Sequence, residues 1–289
     1  MDCQLDIFFA EALLNGILLA GLLALLALGL NLIFGVIDVV WICYAELVMI
    51  GMYGIFFAYK SGVPFIVAAA FGIVLVAAAG ALLHYLVIRP VLDSAPINQL
   101  LVTGGVLFFL QAAATMAFGV DFRNIGISLG STSAFDMSFS NSRILGFVVA
   151  LVGMFALYLF LTRTYMGTAI RAIAQDRQIM PLMGVDSKKI YLVTSAVGGG
   201  LAGLAASLMV LNYDIYPHIG LQFGPLVFMI CVLGGLGNMI GGFIAAFIFS
   251  QFIAVGSSCF HTEWGYAIAF LFFMVAIFFR PQGLFGGKS

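Results

Sequence analysis

Two carboxylates stand inside otherwise apolar sequence. Asp38 and Glu46 lie in "GVIDVVWICYAELVMIGMYG", which runs from Gly35 to Gly54. Buried in hydrocarbon, such a group costs at least ~2.5–3.5 kcal/mol at the bilayer centre and must find water, a backbone amide or a partner. It therefore lines a polar path or caps a short helix at an interface, and the sequence permits both. Asp38 also sits at the end of the first apolar run. Trp41 and Tyr44 share the stretch and bring amphipathic rings with polar tips, suited to a passing substrate with an apolar side. Gln111 and Asn31 stand in apolar runs as well, able to pair between helices or to touch a substrate.

Bond-making chemistry is not assembled here. There is no H-E-x-x-H and no G-x-S-x-G, and the three histidines are His84, His218 and His261. Cys3, Cys43, Cys231 and Cys259 have no metal-ligand spacing, so no metal site is expected. "GGGLAG" at Gly198–Gly203 matches G-x-G-x-x-G, but a dinucleotide site needs a strand before it. Gly199 and Gly203 also form GxxxG, which lets membrane helices approach closely. The terminal "GLFGGKS" ends like a phosphate loop, yet Gln282 stands where its first glycine should be. An enzyme is not expected, nor a cofactor in this chain. If ATP drives the protein, another subunit binds it.

The elements that position these residues must be membrane spans. The chain has 289 residues, 64% hydrophobic and 8% charged, with mean hydropathy +1.19. A soluble domain carries about 25% charged residues. The net charge of −1 offers no basic patch for a nucleic acid. Asp2, Asp6 and Glu11 precede any basic residue, so no cleavable signal is expected.

Charge-free runs at 12–37, 61–88, 94–120, 144–162, 190–213 and 264–279 suit the ~20 residues a span needs. The run 47–59 is short, and 215–262 is long enough for two spans broken at "GGLGN", 234–238. The expectation is an all-α polytopic membrane protein of about eight to nine crossings, forming a single domain over 1–289. Two segments read as short or broken: Gly35–Gly54, and Gly220–Asn238 with Pro225 inside. The loop at 119–143 reads as an ordered polar cap. Eight of the 11 Lys and Arg fall on one side of this alternation, which the positive-inside rule makes cytoplasmic. The N-terminus is then outside and the C-terminus inside.

Five of those basic residues crowd into 163–189, between two spans. A short helix is expected from Thr168, as its cap, to Met183, with Gly184 ending it in a left-handed turn and Pro181 kinking it. Ala169, Ile170, Ile173 and Ala174 make an apolar patch, with Arg171, Gln175, Arg177 and Gln178 around it. A docking helix for a cytoplasmic partner fits this pattern better than a helix lying on lipid, because acidic residues share the segment.

"GTAIRAIAQDRQIMPLMGVD", starting at Gly167, resembles the cytoplasmic coupling loop of permease subunits of branched-chain amino acid ABC importers. "RPVLDSAPINQLLVTGGVLFFLQ" (Arg89–Gln111), "VLGGLGNMIGGFIAA" (Val232–Ala246) and "RPQGLFG" (Arg280–Gly286) are similar to further segments of that family, in order. The resemblance implies a type II, vitamin-B12-importer-like helical fold in a bacterial inner membrane. It implies a second permease subunit, two cytoplasmic ATP-binding subunits and a periplasmic substrate-binding protein. The cargo it implies is a branched-chain or other hydrophobic amino acid, with urea, amides or small carboxylates as alternatives served by similar permeases. An ion-coupled secondary transporter using Glu46 or Asp38 is the rival reading. The resemblance gives ATPase coupling to the loop at 163–189, with Arg171, Ala174, Asp176, Arg177 and Gly184. The substrate path is assigned to Trp41, Tyr44, Glu46 and Gln111. Where the family usually reads close to Asn-Phe-Ala-His-Gly-Glu, this chain has "WICYAE" at 41–46 and keeps only the glutamate. That departure points to a bulkier or more apolar cargo.

Overall fold

The computed structural model describes residues 2–127, 130–134, 137–177, 180–259 and 262–286. Gln178, His261 and Lys288 lie outside the described residues. The chain forms α1 (Asp2–Ile37), α2 (Tyr44–Lys60), α3 (Phe65–Leu83), a π-helical turn (His84–Ile88), α4 (Arg89–Val91) and α5 (Pro96–Phe118). Two strands follow, β1 (Ser131–Ala134) and β2 (Met137–Ser140). Then come α6 (Asn141–Arg163), α7 (Tyr165–Gln175), a 3-10 turn (Met180–Met183), α8 (Ser187–Met209), α9 (Ile219–Gly234), α10 (Met239–Cys259) and α11 (Thr262–Phe279).

Among the described residues, six helices are long and apolar enough to cross a membrane, and α9 and α11 are shorter apolar helices. α2, with 17 residues and Glu46 in its first turn, is also short. The 48-residue run is broken where the glycines are, between Gly234 and Met239. The described residues are helical as expected, with one short exception in the polar cap. β1 and β2 pair antiparallel, with Ser131 opposite Ser140, in the polar segment between α5 and α6.

Small residues set the core. α3 buries Ala68, Gly72, Val76 and Gly80, one residue per four, on a single face. α8 meets that face with Gly199 and Gly203. A Cβ on Gly199 would lie 2.6 Å from the Val76 carbonyl oxygen, and one on Gly203 would lie 2.7 Å from Ile73 Cα. The GxxxG pair is thus used for helix packing, as small residues in membrane helices are. α1 and α8 are mostly buried, whereas α3, α5 and α6 keep most of their apolar surface outward. The π-helical turn precedes Pro90, whose ring and missing N–H loosen the helical ladder one turn back.

The segment after α6 differs from the sequence expectation. The cap is Thr164, whose hydroxyl accepts from Gly167 N at 3.0 Å. Thr168 instead donates its hydroxyl to the Thr164 carbonyl. The helix ends at Gln175, and Met180–Met183 is a separate 3-10 turn. Gly184 does adopt a left-handed φ of 79°, after that turn. Asp186 caps α8, accepting from Lys188 N and Lys189 N. Pro225 leaves α9 unbroken, so that segment is short but continuous.

Packing of α3 on α8 makes one contrast testable. A methyl on Gly199 meets backbone, while one on Gly200 is 3.8 Å from the Ala77 side chain. Gly199→Ala is expected to destabilise the detergent-purified protein by about 1–3 kcal/mol, as overpacking does, and Gly200→Ala to be nearly neutral. Equal thermal unfolding midpoints for the two variants would contradict close α3–α8 packing.

Candidate functional site

α1 ends at Ile37, and Asp38 takes φ 59°, so the chain leaves the helix abruptly. Residues 38–43 run without regular helix up to α2. This unwound segment is held at both ends. The Thr103 hydroxyl of α5 lies 3.1 Å from the Val40 carbonyl and shares its proton with the Gln99 carbonyl, at 3.0 Å, and the Leu100 carbonyl, at 3.2 Å, of its own helix. The Tyr44 hydroxyl donates to the Gly198 carbonyl of α8 at 3.1 Å. Trp41 is 1% exposed, with an indole N–H that has no hydrogen-bond partner among the described residues.

Glu46, in the first turn of α2, is fully buried. Gln111 Nε2 donates to its Oε1 at 2.8 Å. The Gln111 oxygen lies 3.4 Å from His218 Nδ1. Because an amide oxygen only accepts, that contact requires the proton on Nδ1. His218 is exposed and is the N-cap of α9. Gly220, the second residue of α9, lies directly against the Glu46 carboxylate, where any side chain would overlap it. Among the described residues, Glu46 Oε2 has no hydrogen-bond partner. The result is a carboxylate caged between α2, α5 and the first turn of α9, with a polar line from exposed His218 through Gln111 to the buried oxygen. The positive end of α9 faces the negative group, which is the favourable sense.

The cage lies deep. Tyr53 stacks on Phe118 at the end of α5, with centroids 4.3 Å apart. Glu46 and Gln111 each lie seven residues before these on their helices, about 10 Å away at 1.5 Å per residue. α9 has 16 residues, about 24 Å, against a ~30 Å hydrocarbon core. Its other end turns at 235–238 beside Gly35 of α1, so its first turn starts inside the bundle.

The structure thus brings Glu46 and Gln111 together, and places Trp41 and Tyr44 behind them in the core. His218 was not singled out in the sequence. Only its spacing before the short, glycine-bounded α9 segment marks it. Asn31 belongs elsewhere, with its oxygen accepting from Gly237 N at 3.2 Å.

At the opposite end, α7 buries Ala169, Ile170 and Ile173 against the body of the protein. Three of the four residues of the expected docking patch therefore face inward. Its outward face carries Tyr165, Arg171, Ala174 and Gln175, followed by exposed Asp176 and Gly184. Arg177 pairs with Asp38 at 3.6 Å, over a cleft shared with Gly35 and Gly237. Both side chains are substantially exposed (35% and 63%), so this pair adds under ~1 kcal/mol and acts as a positional tie.

The buried cage predicts a coupling in stability. Gln111→Leu leaves the Glu46 carboxylate buried with neither oxygen paired, and is expected to cost about 1–3 kcal/mol. Adding Glu46→Leu should recover most of that loss, since removing both partners is far milder than removing one. Additive losses in a double-mutant cycle on the purified protein would contradict the cage.

A family profile described as "Branched-chain amino acid transport system / permease component" matches residues 12–277. The chain is 30% identical over 294 residues to the high-affinity branched-chain amino acid transport system permease protein BraD of Pseudomonas aeruginosa, covering 96% of each. It is 27% identical over 298 residues to the corresponding LivH protein of Escherichia coli, covering 97% of this chain and 96% of that one. Among solved structures it resembles PsaBC from Streptococcus pneumoniae in complex with Fab, with TM-score 0.51 and 13% identity, over 93% of this chain and 91% of that one. That last likeness concerns the fold alone.

Proposed function

The chain belongs to the permease family of branched-chain amino acid transport systems, and from that premise we propose how it works as the membrane subunit of an ABC importer. The cargo is an aliphatic amino acid, the class named for relatives that match along nearly the whole chain. That end-to-end match carries the reading. Hydrolysis of ATP belongs to two partner subunits, and a second permease and an extracellular binding protein complete the transporter. The protein sits in the inner membrane with the α7 end cytoplasmic, as the basic residues at 163–189 favour. The type II permease architecture is supported by the PsaBC likeness.

The coupling surface is the outward face of α7 with Arg171, Ala174, Asp176 and Gly184. Its motion reaches the unwound segment 38–43 through the Arg177–Asp38 tie. That segment leads into Glu46, so movement at the ATPase side bears on the cage. Glu46 and Gln111 are the path residues, opened when the first turn of α9 separates from α5. Glu46 and Gln111 offer hydrogen bonds to a passing amino acid, and a glutamine at position 46 would still supply them. Trp41 and Tyr44 hold the segment in place behind it. The short helix starting inside the bundle, next to an unwound segment, is a form of site common to transporters.

The test is uptake into vesicles carrying the full transporter. L-leucine uptake should require ATP and the binding protein and should persist with a protonophore present. Glu46→Gln should keep uptake within about threefold, while Glu46→Leu, losing a hydrogen bond to a charged group, should lower it about tenfold or more with assembly intact. Collapse of uptake by the protonophore alone would favour ion coupling instead. Parental uptake in both variants would remove Glu46 from the path.

A further inference from the structure

A second polar enclosure opens at the other end of the bundle from α7. It is a cavity of about 710 Å³ between α1, α6, α10 and the start of α9, within the ~300–1,000 Å³ range of small-molecule sites. Its walls carry one carboxylate, Glu11, and one guanidinium, Arg143. Below them, Leu18, Leu19, Leu22 and Ile253 form an apolar floor.

The two charges are close in the fold without neutralising each other. Arg143 Nη1 donates to Asn15 Oδ1 at 3.1 Å. Glu11 lies one turn before Asn15 on the same face of α1. Yet the described ion pairs include none between Glu11 and Arg143. The guanidinium is steered by a neutral amide, which leaves its charge and that of Glu11 available to a ligand. Glu11 is 26 residues from the end of α1, about 39 Å, which is longer than a ~30 Å hydrocarbon core.

We infer that this cavity is a holding site for a zwitterionic aliphatic amino acid, with Arg143 on its carboxylate, Glu11 on its ammonium and the leucine floor under its side chain. The inference rests on the cargo class proposed above. It adds a site distinct from the Glu46 cage and a reason for its place. Gln222 lines the cavity, and Gly220 touches Glu46. Two residues along a helix are about 200° apart, so the cavity and the cage lie on opposite sides of the first turn of α9. One helical turn separates the holding site from the path.

The experiment uses the assembled transporter in nanodiscs, without nucleotide or binding protein. Ser258, on the cavity wall, is replaced by cysteine in a Cys259→Ser background, and maleimide labelling at position 258 is read by mass spectrometry. L-leucine should slow labelling at least about fivefold, whereas 4-methylpentanoate and 3-methylbutylamine, each lacking one charge, should not. Glu11→Gln and Arg143→Gln should each raise the half-protecting leucine concentration about tenfold, the loss of one charge-assisted contact. Leucine protection unchanged in both variants overturns the assignment, as does protection by phosphatidylethanolamine in place of leucine. ATP-driven uptake is measured on the same preparations. Leucine uptake without protection overturns the holding site and leaves the transport reading standing. ATP hydrolysis without leucine uptake overturns the cargo class, and the holding site with it.

Discussion

A carboxylate with no exposed surface, held inside a bundle of apolar helices, is the constraint around which the middle of this protein is arranged. In hydrocarbon such a group is tolerated only where polar atoms reach it. Three elements do so. α5 supplies the Gln111 amide, α9 brings its positive end with no side chain on Gly220, and α2 carries Glu46 in its first turn. Two of the three depend on an irregularity that a plain spanning helix lacks. α2 follows an unwound segment, and α9 is too short to cross. Among the described residues, Oε2 is buried without a hydrogen-bond partner.

Around this cage the elements are joined in two ways, by close backbone packing and by polar contacts. The frame is α1, α3 and α8: α3 meets α8 through Gly80, Gly199 and Gly203, and α1 meets α8 through Gly29 and Gly198, so these backbones cannot separate gradually. Polar contacts add to the apolar packing around the unwound segment. Thr103 holds Val40, Tyr44 holds Gly198, and Arg177 holds Asp38. α5 grips both the unwound segment, through Thr103, and Glu46, through Gln111. A shift of α5 would therefore move both ends of that stretch together. The strength of each tie is small beside the packing of the frame, which suits contacts that must change during a transport cycle.

Much of this was legible in the sequence, for identifiable reasons. Apolar run lengths fixed most helices, because hydrocarbon thickness allows few alternatives. The GxxxG at Gly199 and Gly203 and the break at 234–238 followed from glycine chemistry. Glu46 stood out because a lone carboxylate among apolar residues requires an explanation. Its partners were less visible. Gln111 could be flagged, but the pairing spans 65 positions and comes only from tertiary packing. His218 follows a Tyr-Pro in a connecting segment, where no local pattern distinguishes a site residue from an interfacial one. The segment at 163–189 failed locally for a simple reason: Thr164 and Thr168 are both competent caps, and the corner after α6 selects the first. The inward face of α7 was misread because an apolar stripe has the same sequence whether it meets a partner or its own bundle.

The most direct test of a path through the Glu46 cage is the reactivity of a cysteine at position 111 toward a small methanethiosulfonate reagent. It is measured in the assembled transporter at rest and during ATP turnover. Gln111 is nearly inaccessible in the structure, at 4% exposure. Slow modification at rest, faster modification during turnover and slowing by L-leucine is the predicted pattern. Equal rates at rest and in turnover, unaffected by leucine, would contradict a path at this site.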